Sequence, residues 1–452
     1  MRVINMQVGL VALLGCACVG SSASEDETGD TSETLGESET GGEGETGGEP
    51  DTDPLGLDDC PPFDASEPAP LPAAGWADLD DDHELMCALR ALDAAVEGRR
   101  VLCLAENSHG VSQSYLWHAL ALRYLVHAHG VRTVAFEATR ARGALWDDYA
   151  QTGDLAALDA SFNLRTSLAL SVETEWLVEA LAAVSAELPA GERLRLTGYD
   201  VAVQPQIVRA ALLDYVELVA PAERDAWAAM FPVPDGVGDF DWFAAGDAAA
   251  ALLEQLEASA DAYVAATDAA SYDDALVDAA ALRDGYYFRA YYTMGEFFVG
   301  NATFREPSMA VNVEHLLATL PADELLVIVG HNRHCARDWI AGYDVDDAPT
   351  PALGTYLAQA YADDYGVLAQ AYAGGSYTRL SEGAFVTEPF ETPTPLLEAS
   401  IAESTDADAL LVSALPEGSW ELFQQSEIVV AEQFDQLLWL REVEGTSLRE
   451  GG

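Results

Sequence analysis

Seven short runs of consecutive apolar residues punctuate the chain: Arg100–Ala105, Arg132–Glu137, Arg193–Gly198, Glu324–Gly330, Gly366–Tyr372, Ala409–Ala414 and Leu437–Arg441. Runs that stay apolar at successive positions, rather than alternating, mark strands buried on both faces, as in parallel sheets. Between the first two, Ser114–Ala128 repeats Leu116, Leu120, Tyr124 and His127 at helical spacing. Strand, helix and strand in so few residues make a βαβ unit with a right-handed crossover. Glu173–Glu187 forms a second helix that leads into the strand ending at Gly198-Tyr199-Asp200. The pattern predicts an α/β fold with a mostly parallel central sheet flanked by helices.

From about 205 to 320 the pattern changes to alanine-rich, acidic and helix-periodic sequence with no convincing strand. Tyr286, Tyr287, Phe288, Tyr291, Tyr292, Phe297 and Phe298 form an aromatic helix, read as core packing in preference to a ligand-binding stripe. An insertion between the third and fourth strands is placed to cap the crevice at the strand ends. No second linker or internal repeat interrupts 60–452, which reads as one domain carrying this helical insertion.

The N-terminus adds a compartment. Arg2 precedes the apolar run Val8–Leu14 and then Gly15-Cys16, a signal peptide of about residues 1–20, too short to span a membrane. Leu13-Leu14-Gly15-Cys16 resembles a bacterial lipobox, which implies acylation of Cys16 and anchoring in the cell envelope. An ordinary cleaved signal is the alternative. Residues 21–59 hold fourteen Asp and Glu, no basic residue and almost no large apolar side chain, so they read as a disordered acidic tether.

Charge excludes several functions. The chain carries 77 acidic and 21 basic residues, a net charge of −56, and removing the tether's fourteen acids leaves a strongly acidic body. Nucleic-acid binding needs a basic face, so it is excluded, and anionic substrates are repelled unless a local arginine pocket receives them. Every basic residue is arginine, so Schiff-base and lysine-nucleophile mechanisms fall away. Cys60 and Cys87 can pair in an oxidising compartment; Cys103 and Cys335 read equally as a disulfide or as buried thiols.

Two histidine clusters follow strand ends: Glu106-Asn-Ser-His109-Gly110 and Gly330-His331-Asn-Arg-His334. Ligands gather outside the carboxyl ends of strands in open α/β sheets, so both clusters are expected to meet at one crevice. His109, at the start of a helix, suits a general base on water, with Glu106 orienting it. Glu137 closes the second strand and is too costly to bury without a partner. Arg140 or Arg142 is the structural candidate, a histidine or ligand the functional one. Asp200 closes the third strand in the same way. His118, on the second turn of the following helix, could reach the same mouth. Nucleophile-elbow, P-loop, dinucleotide-fingerprint and His-Glu-x-x-His motifs are absent.

Taken in order, Leu-Ala-Glu106-Asn-Ser-His109-Gly110, Val-Ala-Phe-Glu137-Ala, Gly198-Tyr-Asp200, Arg305-Glu-Pro-Ser-Met309-Ala-Val-Asn312, Gly330-His331-Asn332-Arg-His334 and Phe434-Asp435-Gln-Leu-Leu-Trp439 resemble the erythromycin esterase family. The resemblance implies a helically capped α/β fold with a deep cleft. It implies hydrolysis of a small-molecule ester or lactone by histidine-activated water, without a cofactor or metal. It places Glu106, His109, Glu137, His331 and His334 in the catalytic set; His118, Asp200, Arg305 and Asn332 are the candidates for contact with the substrate. The departures from the family pattern are Ala105, Gln113 and His118, which bear on substrate orientation more than on the base. Two other readings use the same residues: a divalent metal held by the Glu/His cluster, or an inactive surface binding protein of this fold.

Overall fold

The computed structural model describes residues 55–61, 68–72, 74–75, 83–162, 171–201, 205–231, 240–338, 350–381, 384–392, 396–416, 419–422 and 426–447. The signal segment, Cys16 and the tether up to 54 lie outside the described residues. At the tether's far end Leu55 is buried in the core and Leu57–Asp59 forms a 3-10 turn, so ordered packing begins ahead of residue 60.

The strands are β1 (Ala69–Leu71), β2 (Val101–Glu106), β3 (Thr133–Phe136), β4 (Arg195–Gly198), β5 (Leu326–His331), β6 (Tyr365–Tyr372), β7 (Gly374–Ser381), β8 (Ala384–Glu391), β9 (Ala409–Val412), β10 (Ser419–Leu422), β11 (Ser426–Val429) and β12 (Gln436–Leu440). Eight of them make one sheet in the order β1-β9-β12-β6-β2-β5-β3-β4. Every pairing from β12 to β4 is parallel, while β9 runs antiparallel to both its neighbours. The expected mostly parallel α/β fold is the fold found, and all seven apolar runs are strands of this sheet. The reason is burial: β2, β3, β6 and β12 are buried at every position.

Helices cover both faces. Ser112–His129, Arg140–Thr152 and Val172–Glu187 bury Leu120, Trp146 and Leu181 with Leu102, Leu104 and Val134 of the sheet. On the other face Glu306–Thr319 and Leu353–Tyr361 pack Val313, Leu316 and Leu357 against Val101, Ala135 and Ile328. Each fully buried aliphatic side chain contributes roughly 1.5–3 kcal/mol, which fixes the layers.

Between β4 and β5 the described residues hold helices and no strand. The insertion has a core of its own, with Leu212, Val216, Leu252, Leu282 and Tyr286. Arg140 ties it to the sheet layer through Asp274 at 2.6 Å and Asp278 at 3.0 Å. Tyr286 and Phe288 are buried, as the packing reading of the aromatic helix expects.

The hairpins β7–β8 and β10–β11 were not evident as apolar runs. β7 matters to the site, because Thr378 N–H donates to the Gly110 carbonyl at 2.8 Å. Both cysteine pairs are disulfides, Cys60–Cys87 with Cα atoms 5.4 Å apart and Cys103–Cys335 at 6.2 Å.

Candidate active site

Strand order alone brings the two histidine clusters together. β2 and β5 are neighbours in parallel register, and Glu106 stands opposite His331 at their carboxyl ends. β3 lies on the other side of β5, and Glu137 follows it, its N–H bonded to Val329 O at 2.9 Å. Gly330 is an extended strand residue, and its lack of a side chain makes room for the Tyr199 hydroxyl, with which a Cβ would collide.

Glu137 is the hub. Its Oε1 meets Arg305 Nη2 at 2.6 Å, His334 Nε2 at 3.3 Å and His109 Nε2 at 3.5 Å, while Oε2 accepts the His331 N–H at 2.9 Å. Neither Arg140 nor Arg142 takes the partner role that nearness in sequence suggested. Arg305 also grips Asp200, through Nε and Nη2, both at 2.9 Å. It closes the short π-helical turn Asn301–Arg305, a local widening of the helix often found where a side chain must be re-aimed.

His109 sits between two carboxylates, with Nδ1 bonded to Glu106 and Nε2 facing Glu137. The His109 side chain is 30% exposed, whereas those of Glu106 and Glu137 keep 5% and 8%. The Tyr115 hydroxyl donates to the His109 carbonyl at 2.9 Å and steadies the turn. His331 is spent on the backbone: Nε2 bonds Asn107 O at 2.9 Å and Nδ1 caps the helix Asn332–Cys335 by accepting the Arg333 N–H. The first contact requires the Nε2–H tautomer.

Electrostatics follow from these contacts. Burial opposes charge on His109, but Glu137 and Glu106 overcome it and hold the imidazole well above its ordinary range. Burial likewise penalises Glu137, and His334 and His109 outweigh it, so the carboxyl stays ionised well below the usual range. His334 is desolvated yet pushed up to about 9, by Glu306 and then Glu137. His331, desolvated and beside His109, is held well below its ordinary value and is neutral.

The structure thus gathers Glu106, His109, Glu137, Asp200, Arg305, His331 and His334. It does not bring His118 to this mouth. That side chain is 2% exposed, with Nε2 against the Gln370 amide at 3.2 Å. Asn332 is buried and clamps both backbone groups of Gln370, from Nδ2 to O at 2.7 Å and from Oδ1 to N–H at 3.2 Å. Glu306 was missed as a site residue. Its carboxylate takes His334 Nδ1 at 2.7 Å, Asn301 Nδ2 at 2.6 Å and the Leu353 N–H at 2.8 Å. An acid beside Pro307 at a helix start reads as an ordinary dipole partner, so only its burial sets it apart.

The cluster does not fit a metal as it stands. Among the described residues the one group offering three His, Cys or carboxylate ligand atoms within 4.8 Å is Cys60, His83 and Cys87, where both sulfurs are already bonded to each other. Glu/His ligand atoms at the sheet tips pair with one another and with backbone instead of converging.

Residues 126–443 match the family model described as erythromycin esterase. The match begins after Glu106 and His109, which the sheet brings to its other motifs. No match was found among curated protein sequences. Three solved structures share the fold. A succinoglycan biosynthesis protein superposes with a TM-score of 0.67 at 16% identity, over 89% of this chain and 100% of that one. A Bacillus cereus protein gives 0.68 at 15%, over 85% and 97%. A histidine-to-asparagine variant of the erythromycin esterase EreC, in its open conformation, gives 0.61 at 17%, over 79% and 94%. At these identities the likeness is one of fold.

Proposed function

The chain belongs to the erythromycin esterase family, and from that premise we propose that it hydrolyses a carboxylic ester or lactone with water activated by His109. Family membership supports hydrolase chemistry in the broad sense; the reaction and the residue roles are the proposal. The observation that carries it is the partial exposure of His109, at 30%, amid carboxylates sealed to 5% and 8%: solvent water can reach its imidazole while Glu106 and Glu137 hold it in place.

In this reading neutral His109 takes a proton through Nε2 from water as the oxygen bonds to the carbonyl carbon. Glu106, on Nδ1, stabilises the imidazolium that forms. Collapse of the tetrahedral intermediate breaks the bond to the leaving alcohol, and His109 returns the proton to it. Glu137, kept ionised chiefly by His334, orients the ring and the water. Arg305 serves as counter-charge, because its Nε and Nη2 are committed to Asp200 and Glu137. His331 positions the turn after β5 rather than moving protons.

Hydrolysis of an ester and lactone panel in ¹⁸O-water tests the reaction. One ¹⁸O in the acid product, from the parent and not from a His109→Ala protein, supports it. A panel without turnover, or turnover that survives the substitution, overturns it. The place of action is part of the same proposal: export and acylation of Cys16 put the acidic body at the envelope surface. Incorporation of labelled fatty acid, lost in Cys16→Ser, is the matching measurement.

A further inference from the structure

The ladder between β2 and β6 stops before either strand does. It pairs Val101 to Leu104 with Tyr365 to Leu368 in parallel register, and joins neither Ala105 nor Glu106 to β6. β6 itself runs on to Tyr372, held on its other side by β12 as far as Leu440. Backbone groups that leave a ladder inside a protein need other partners. Side chains supply them here. Asn332 takes both backbone groups of Gln370, and the Tyr372 hydroxyl accepts the N–H of Asn107 at 3.3 Å. Asn107 directly follows Glu106 in the turn to His109, and its carbonyl is the group that His331 Nε2 binds at 2.9 Å. The turn is therefore held at Asn107 twice, by its carbonyl from the end of β5 and by its N–H from the end of β6.

The Tyr372 hydroxyl has its own direction fixed. The residue is buried, and burial, then the charge of Glu106, raise the phenol far above its ordinary range. It stays protonated and has one proton to donate. That proton goes to Gln370 Oε1 at 3.0 Å, while the Gln370 amide nitrogen faces His118 Nε2 at 3.2 Å. Burial lowers the His118 pKa, so its ring is neutral and can accept at Nε2. An acceptor there sets which way the amide points, and the amide sets the hydroxyl. The phenol lone pairs are then left for the Asn107 N–H and for Ser114 Oγ, in the first turn of the helix Ser112–His129. Glu106 acts through its charge on Tyr372, His118 and Tyr115, so all three lie near its carboxylate.

We infer that Tyr372 is a positioning residue for His109: its hydroxyl, oriented by Gln370 and His118, holds the Glu106–His109 turn so that the Glu106 carboxylate meets Nδ1 of the ring. This rests on the hydrolase reading for its consequence in rate, though not for the geometry. Phenylalanine at 372 keeps the packing and leaves the Asn107 N–H without its acceptor. A buried N–H without a partner is disfavoured, so the turn shifts to find another. The shift loosens the contact between Glu106 and Nδ1, and the imidazole loses part of the negative charge that favours its proton. The base is then weaker and less well aimed, and the loss falls on kcat rather than on substrate binding.

Two measurements decide it. In the first, the ring signals of histidine-labelled protein are followed by NMR against pH, with His109 identified by its absence from His109→Ala. Tyr372→Phe is expected to lower the proton affinity of His109 about tenfold, and Ser114→Ala to lower it less. Tyr272→Phe, which loses a buried hydroxyl bond to Leu256 O within the insertion, is expected to leave it unchanged. An unchanged His109 titration in Tyr372→Phe overturns the inference, as does an equal shift in Tyr272→Phe. Ser114→Ala decides in place of a Tyr372→Phe protein that fails to fold, and the absence of any shift there overturns the inference in turn. In the second, kcat and KM are measured for p-nitrophenyl acetate across pH. Tyr372→Phe is expected to lower kcat about tenfold with little change in KM, and to move the alkaline rise in rate toward lower pH. A raised KM with an unchanged kcat overturns the positioning role. Absence of all turnover in the parent sinks the hydrolase reading alone, because the imidazole titration still decides what Tyr372 does to His109.

Discussion

His334 Nδ1 and Glu306 Oε1 stand 2.7 Å apart in a buried contact, and the far nitrogen of the same ring faces Glu137 at 3.3 Å. With His109 between Glu137 and Glu106, carboxylates and imidazoles alternate from Glu306 to Glu106. Removing the terminal carboxylate should be felt at the exposed end. Glu306→Gln is expected to lower kcat about tenfold with little change in KM, and to move the pH profile, which a merely structural loss would not do. Stability carries the same signature. The His334 pKa rises from 6.5 to about 9 on folding, so its contribution is complete below about 6.5 and is lost as pH climbs through about 9. Urea titrations across that window should show stability falling in the parent by on the order of 1–3 kcal/mol and more shallowly in the variant.

The half-buried imidazole of His109 sets the pH dependence of rate. His109 must be neutral to accept a proton, and Glu137 and Glu106 hold its pKa well above the ordinary range. Activity should therefore rise with pH on the alkaline side of neutrality. Glu106→Gln removes one stabilising carboxylate and should shift this limb toward lower pH while reducing the maximal rate. His109→Ala should cost about 10²–10⁴-fold in kcat/KM with an unchanged fold by circular dichroism. Initial rates in overlapping buffers check all three.

Much of this arrangement could be read along the chain. Fully apolar runs identify buried strands because nothing polar can sit on either face of a covered sheet. The meeting of Glu106 with His331 followed from where such strands end. What could not be read is pairing across distance. Glu137 was expected to meet Arg140 or Arg142, or else a histidine or ligand; it does face His334 and His109, but its arginine is Arg305, brought in by the insertion. His118 looked like a cleft residue on helical spacing, yet its ring turns into the layer between helix and sheet. Glu306 carried no sign of burial in its local sequence. β7 and β8, with Gly374, Gly375 and a polar face, lack the continuous apolar signal that revealed the central strands.

Cys103 lies three residues before Glu106, and Cys335 directly follows His334, so their disulfide fastens the two halves of the site to each other. A link spanning 232 residues of sequence should stabilise the fold by about 5 kcal/mol in the chain-entropy view. Cys103→Ala is expected to lower the urea midpoint and to reduce kcat. A double Cys103→Ala/Cys335→Ala protein should match it, since the lone thiol adds no further loss. Thiol titration of the denatured parent should find neither sulfur free.

Gly110 links the catalytic turn to the hairpin. Its carbonyl accepts N–H groups from Thr378 at 2.8 Å and Thr446 at 3.0 Å, and a Cβ at this position would run into the Thr378 backbone. Backbone on a strand cannot yield as a flexible side chain can, so Gly110→Ala must push the turn away from β7. Because His109 precedes it directly, the displacement falls on the imidazole, and misplacement by an ångström costs about 10²-fold in rate. The expected result is kcat down by roughly that factor with a Tm loss of only a few degrees. Thr378→Ala, which keeps the backbone contact, should be far milder. Equal activity in Gly110→Ala and the parent would show that the hairpin does not set the position of His109.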